Sequence, residues 1–568
     1  MVSDCIKLLY DDPIPMSEVL RDIGLDDPIC DDTKYESLIA IERTNNRINE
    51  RDFITIMETI KLEEAFIIFD KLAMTNVITR TITSSRNYTI VCNGAIVNHA
   101  IRDNNAQFAY YHGFKIVFNG MVYTPTTYLD NAILHGMCVN AINGTKNTND
   151  CDIAICKYLR ELIIDGNKKI TTCKPFAKTI RKLSIRGGIL DDDDIFICTS
   201  LTELCVDDNK YITTCEPFAA TLRKLSARGS CRISDYYLDA CNKLEELDIS
   251  DNELISTCEP FAQTLRKLVA RSNRELHDDG LKSCTAIEEL DISDNTVITS
   301  FAPFAHTLRR LTINNISAIT NHTISKCTAI RELYANFNTT ITTCIPFAHT
   351  LRKLSIREST ICDNGLRLCA FIEDLDADGN SRVTTCTPFA KSLRRLIASG
   401  KTCGICDRGL AQCTMIEKIN ADHNANITTC KPFATSLVSL SACGATCGIA
   451  DDGLRICKFI HKLYADDNHK ICICDPYAKY LQILSAQQSC GITNTGLASC
   501  TKIRDLNIDN NGKITTCDPF ADSLTALSAC GSTCSMTDNG LKLCMRIRKL
   551  KYTMNRNITG ASLHRVVE

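Results

Sequence analysis

The stretch that decides the fold is residues 244–268, LEELDISDNELISTCEPFAQTLRKL. Leu244, Leu247 and Ile249 are apolar, acidic residues stand between them, and Asn252 closes the pattern. Alternation over 247–249 puts every second side chain on one face of a short strand. Pro260 then suits the first turn of a short helical segment, where its fixed φ is an advantage and its missing N–H costs little. The chain returns at Leu265, Leu268 and Ala270 with the same apolar spacing. One such turn cannot bury its own apolar edge, so the turns must stack.

The pattern repeats in both directions from there. One cysteine recurs from Cys156 through Cys198, Cys241 and Cys284 to Cys544 in steps of 42 to 44 residues. Nine Pro-Phe-Ala or Pro-Tyr-Ala tripeptides keep that step between Pro175 and Pro519. Each unit holds two turns, which gives ten strands of a first type and nine of a second. Turns of 21 or 22 residues that open with LxxLxL resemble leucine-rich repeats. The first turn carries the family's Asn from Asn167 and Asn209 to Asn555. The resemblance implies that this amide bonds the backbone of neighbouring coils. The GIxDxGLxxC ending of the second turn is similar to the cysteine-containing, ribonuclease-inhibitor-like type. The near-identical units, rich in Asn, Ile, Thr and Cys, also resemble expanded repeat families of large DNA viruses of amoebae. That second resemblance implies a host-protein binder or a virion component.

The expected fold is α/β: a leucine-rich-repeat solenoid (horseshoe) with a parallel concave sheet over 131–568, in about nine double units of 42–44 residues. Leu134, Met137 and Val139 read as a degenerate opening coil, and the polar tail after Asn555 as a poor cap. Residues 1–130 lack the period and read as an α+β cap or separate domain. Within it, Ser37–Met74 reads helical. Thr81–Val97 and Phe114–Thr124 read as strands, with a turn at Asn119-Gly120.

The totals exclude several classes. Net charge is −3 over 568 residues, so no global field draws nucleic acid or an anionic membrane. Aromatic residues make up 6% and Trp is absent, a poor supply of stacking platforms. No nucleic acid is expected as partner. No apolar run reaches the length of a membrane span. The N-terminus does not read as a secretory signal. The expected location is the cytoplasm, or the host cytoplasm or virion if the viral resemblance holds.

The 34 cysteines fit the repeat. Cys173, Cys215, Cys258 and their successors to Cys517 share one position, with Ser300 counted in place of Cys in the fourth unit. Equivalent thiols lie two coils apart, roughly 9.5 Å. A disulfide needs Cα atoms within ~7 Å. The column can neither cross-link to itself nor share a zinc, and it reads as core. Cys403 and Cys406 have CxxC spacing without a second pair, so packing is preferred there over a redox role. DLDADG at 374–379 imitates the start of a calcium loop, but Thr385 falls where a carboxylate is required. Asp191–Asp194 reads as a solvated loop. No catalytic motif is present. The expectation is a protein that is not an enzyme, with no cofactor and no metal. A hidden activity would belong to residues 1–130.

Charge on the strands is more informative. Glu203, Glu246, Glu289, Glu332 and Asp374 precede the central leucine of first-type strands. Lys224, Lys267, Arg310, Lys353 and Arg395 hold the same place in the second-type strands that follow. Opposed unlike charges contribute roughly 0.2–1 kcal/mol each, so this reads as a structural charge ladder. Further along the strands, Asp165 stands beside Arg186 and Asp207 beside Arg228. In units seven to nine the second-type bases give way to Ser439, Ile483 and Ala526, then to Cys443, Gln487 and Cys530. Asp422, Asp466, Asp467, Asp505 and Asp509 remain, with His423 and Tyr464 among them. These seven residues are the expected binding surface for a basic protein partner. The expected function is a protein–protein interaction scaffold. The alternatives are a substrate adaptor with an N-terminal docking domain, or a virion structural component.

Overall fold

The computed structural model describes residues 149–153 and 159–559, together with the backbone of six strands before them. Five of these form one sheet. Leu38–Ile41, Glu64–Phe69, Asn87–Cys92 and Lys115–Phe118 pair in parallel in that order, and Met121–Val122 pairs antiparallel with the last. The helix expected over Ser37–Met74 is thereby corrected, since both described segments of that stretch are strands. EAFIIF is a continuous apolar run, and such a run has no period that separates a buried helix from a buried strand. The degenerate coil at Leu134, Met137 and Val139, the turn at Asn119-Gly120, Cys156 and the tail after residue 559 lie outside the described residues.

The chain divides into two compact units, residues 1–269 with 279–284, and residues 270–278 with 285–568. In the first, Ala141–Asn143 pairs in parallel with Glu161–Ile163, and one strand per coil follows to Lys267–Val269. In the second, parallel strands run from Glu289–Asp291 to Lys549–Lys551. From Glu161 onward ten strands are of the first type and nine of the second, as the sequence count has it.

Each strand is three residues long with its middle residue turned inward, as with Leu225, Leu290 and Leu463. Opposite the sheet, the Pro-Phe-Ala segments are single 3-10 turns with Pro in the first turn and a buried Phe. The repeat Asn is buried and fully used. Asn424 Nδ2 donates to the Ala398 and Ile405 carbonyls at 2.8 and 3.2 Å, and its Oδ1 accepts from Asn426 N at 2.8 Å. An unsatisfied group there would cost roughly 1–3 kcal/mol, which is why the residue recurs. The glycine of GIxDxGL is a close-approach position. A Cβ on Gly409 would stand 2.0 Å from the Thr384 carbonyl oxygen.

The cysteine column needs one correction. Its place in the fourth unit is held by Phe301, not Ser300. Phe301 is buried and packs on Phe304 with ring centroids 6.0 Å apart. The thiols do not face their own column two coils away. They interleave with the second cysteine column one coil away, so Cys215 meets Cys241 and Cys386 meets Cys413, with burial and this pairing pushing Cys215 and Cys386 well up. Cys327 lies in the unit where Phe301 stands, and burial alone pushes it up to about 12. All these thiols are buried core.

Candidate functional site

The expected ladder residues fall in direct register: Glu203 and Glu246 flank Lys224, and Glu332 and Asp374 flank Lys353. Lys224 Nζ lies 3.7 Å from Glu203 Oε1 and 3.0 Å from Glu246 Oε1. Lys267 approaches Glu246 at 4.0 Å, Arg310 approaches Glu332 at 3.8 Å, and Arg395 approaches Asp374 at 3.8 Å. Lys182 and Glu161, at 2.8 Å, belong to the same row and were not read from the sequence. Lys353 departs from the pattern, since its ammonium sits over the Tyr334 ring at 5.4 Å. Glu289 is in register with Arg310, whose guanidinium leans the other way, over Tyr334. In the first unit this face carries an open cleft of about 410 Å³, lined by Lys182, Glu203, Lys224 and Glu246 among others.

The second row is wired differently from its sequence reading. Arg186 does not pair back to Asp165. Its guanidinium reaches forward to Asp207 at 2.8 Å. Arg228 likewise turns to Asp248, 3.8 Å away, not to Asp207. Arg271 reaches Asp291 at 2.6 Å and Arg357 reaches Asp376 at 2.7 Å. Asp207 is also held by a clasp that sequence reading missed. Ser226 Oγ donates to Asp207 Oδ1 at 2.6 Å and Arg228 N donates to the same oxygen at 3.1 Å. Ser184 with Asp165 and Ser355 with Asn336 repeat it. The available signal was a serine 19 residues after an Asp or Asn. Burial alone would push Asp207 up, but the Ser226 hydroxyl, the Arg186 guanidinium and the Arg228 amide together hold it below its usual value.

Units seven to nine keep the clasp and lose the cation. Asp422, Asp466 and Asp509 accept from Ser441, Ser485 and Ser528 at 2.7, 2.7 and 2.8 Å, and from the amides of Cys443, Gln487 and Cys530. Gln487 Nε2 also reaches Asp466 Oδ2 at 3.1 Å. Among the described residues no ion pair is found after Glu417. His423 and Asp467 occupy left-handed backbone, φ +59° and +56°, where the chain leaves the strand. Tyr464 and Asp505 stand exposed on the same face, one strand residue from Leu463 and Leu506. The seven expected residues thus fall on three coils of the same type, Tyr464 and Asp505 in the strands and the others just after them.

The remaining acids and thiols have structural partners. Asp191 caps a short helix, Asp192–Ile195, in a capping box with Asp194, so the expected solvated loop is corrected to a helix start. Asp192 reaches across to Thr213. In DLDADG, Asp374 faces Arg395, Asp376 binds Arg357, and Asp378 accepts from Ser399 at 2.7 Å. Cys403 is buried with its Sγ 3.5 Å from the Ala377 carbonyl, while Cys406 is half-buried at the start of the helix Asp407–Leu410. Among the described residues no cluster of three metal-binding side chains is present, and no helix is long and apolar enough to cross a membrane.

No family model matches the chain, and no curated protein sequence does. Solved structures do. An internalin of Listeria monocytogenes is 15% identical with a TM-score of 0.35, covering 69% of this chain and 96% of the other. The functional domain of InlJ from the same organism, which includes a cysteine ladder, is 13% identical with a TM-score of 0.36, covering 70% and 74%. The leucine-rich-repeat ectodomain of an Arabidopsis thaliana membrane receptor kinase is 11% identical with a TM-score of 0.41, covering 96% and 74%. By its own coil, with an LxxLxL strand, a buried Asn and a parallel ladder, this chain is a leucine-rich-repeat solenoid.

Proposed function

We propose that the protein is an interaction scaffold that holds a basic partner on the open face of its sheet, at the acid row of units seven to nine. The carrying observation is the loss of the arginines there. Asp207 sits in the serine clasp and binds the Arg186 guanidinium, whereas Asp422, Asp466 and Asp509 sit in the same clasp with no guanidinium. A carboxylate held in place by a serine and an amide is preorganised for a cation, because its own side-chain entropy is already spent. Tyr464, exposed beside the row, offers a ring for an arginine or lysine to stack on. The ladder from Glu203 to Arg395 is, on this reading, a register and solubility device.

Affinity capture from cell lysate tests the reading, comparing the intact chain with an Asp422→Asn, Asp466→Asn, Asp509→Asn variant. Asn336 already fills the clasp in the fifth unit, so amides keep the fold. A basic protein held by the intact chain and released by the variant is expected. An identical catch from both removes the acid row from the function.

A further inference from the structure

The net charge of −3 hides a segregation along the edge where strands of the second unit begin. The residue two places before the central apolar residue of a first-type strand of this unit is Glu288, Arg331, Glu373 and Glu417 in the earlier coils. The three glutamates each lie beside an arginine of a neighbouring coil, at 3.5, 3.7 and 2.5 Å. In the last three such coils that place holds His461, Arg504 and Arg548. The turn just ahead adds Lys458, Lys502 and Arg546, all exposed. Against them on this edge stand Asp505 and Asp522.

The backbone fixes these bases in a row. The N–H groups of His461, Arg504 and Arg548 each donate at 2.8 Å to the preceding coil, at Val438, Gln482 and Thr525. Successive bases are therefore two strand spacings apart, about 10 Å. Large apolar side chains stand among them in water: Ile456 is 48% exposed, Leu543 57% and Met545 72%. Earlier coils place Thr285, Thr328 and Thr414 where Met545 stands. Phe459 adds an exposed ring, stacked on Tyr480 at 5.4 Å. Leu368, Phe371 and Met415 are also exposed in earlier coils, but in the last coils such groups stand among the cations.

Aliphatic groups flanked by bases fit an anionic lipid surface, where the cations meet headgroups and the apolar tips enter the headgroup–acyl boundary. A nucleic acid would instead be gripped by exposed aromatic faces. We propose that this edge, over residues 455–551, docks on an anionic phospholipid bilayer. It is separate from the acid row, which lies on the open sheet face beyond the central leucines.

Vesicle sedimentation of the full chain tests this, with phosphatidylcholine vesicles made with and without phosphatidylserine. Binding only to the anionic vesicles is expected, falling as salt rises. Each base near such a surface contributes a factor of about five, so an Arg504→Gln, Arg546→Gln, Arg548→Gln variant should bind about a hundredfold more weakly. Leu543→Ser with Met545→Ser should weaken it about tenfold, while the Asp→Asn variant of the acid row leaves it unchanged. Equal binding to neutral vesicles overturns the proposal. So does undiminished binding by the arginine variant, or a single-stranded or duplex oligonucleotide that binds and displaces the vesicles. If the arginine variant does not fold, the intact chain decides: binding unchanged in 1 M salt, where charge is screened within about 3 Å, overturns it.

Discussion

Ser441 Oγ donates to Asp422 Oδ1 at 2.7 Å across the step between two coils, and the Cys443 amide donates to the same oxygen at 2.7 Å. One carboxylate thus ties a first-type coil to the next. Asp422→Ala should cost about 2 kcal/mol, since hydrogen bonds to charged groups are worth roughly 1.5–3. Asp422→Asn should cost less than half of that. Urea unfolding checks the difference, and equal losses for the two variants would mean that the clasp contributes nothing.

Asn424 makes three hydrogen bonds at 1% exposure. Asn424→Ala strands two carbonyls and an amide, so a loss of roughly 3 kcal/mol is expected. In a stacked repeat the damage should be local. Hydrogen exchange should rise in the coils around residues 398–426 and stay unchanged in the first unit.

Cys443 is half-exposed, yet burial and the nearby Asp422 carboxylate push its thiol up to about 12. At pH 8 its thiolate fraction is then about one in ten thousand. Iodoacetamide at that pH should leave it unmodified in the folded chain and alkylate it in urea. Peptide mass mapping reads both states, and rapid alkylation of the folded chain contradicts the assignment.

Acid should loosen the first unit through Asp207. Its folded carboxyl lies below the ordinary value of 3.8. The stability it contributes is therefore complete above the unfolded pKa and is lost as pH falls through the folded one. Between about pH 4 and pH 2 the wild type should lose more stability than Asp207→Asn, which has no such proton to take up. Parallel acid-unfolding curves for the two would contradict the sign.

The coil was legible because its period is rigid. Cys, Pro-Phe-Ala and Asn recur at steps that only a stack explains, and the strands form where LxxLxL places them. Other features were not legible. Glu64–Phe69 lacks a period, so its strand could not be told from a helix. Phe301 takes the cysteine place one residue from where spacing alone put the change. Charge was read along the strand face, where arginines reach forward a coil in place of pairing sideways. The basic edge precedes the strands, where no alternation draws attention, and the near-zero net charge concealed it. The serine clasps of Asp422, Asp466 and Asp509 were not legible because they join side chains 19 residues apart.

The most direct measurement is a fluorescence anisotropy titration of a Lys/Arg-rich peptide against three forms of the chain. These are the wild type, the Asp422→Asn, Asp466→Asn, Asp509→Asn variant, and a matched Asp363→Asn, Asp407→Asn, Asp451→Asn variant. The last neutralises three acids that clasp residues 384, 428 and 472 away from the sheet face, where Asn321 already serves in one unit. Binding that is strong in the wild type, retained in the matched variant and lost in the acid-row variant is the predicted result. Equal weakening in both variants would show a general effect of net charge, and would contradict a binding face on units seven to nine.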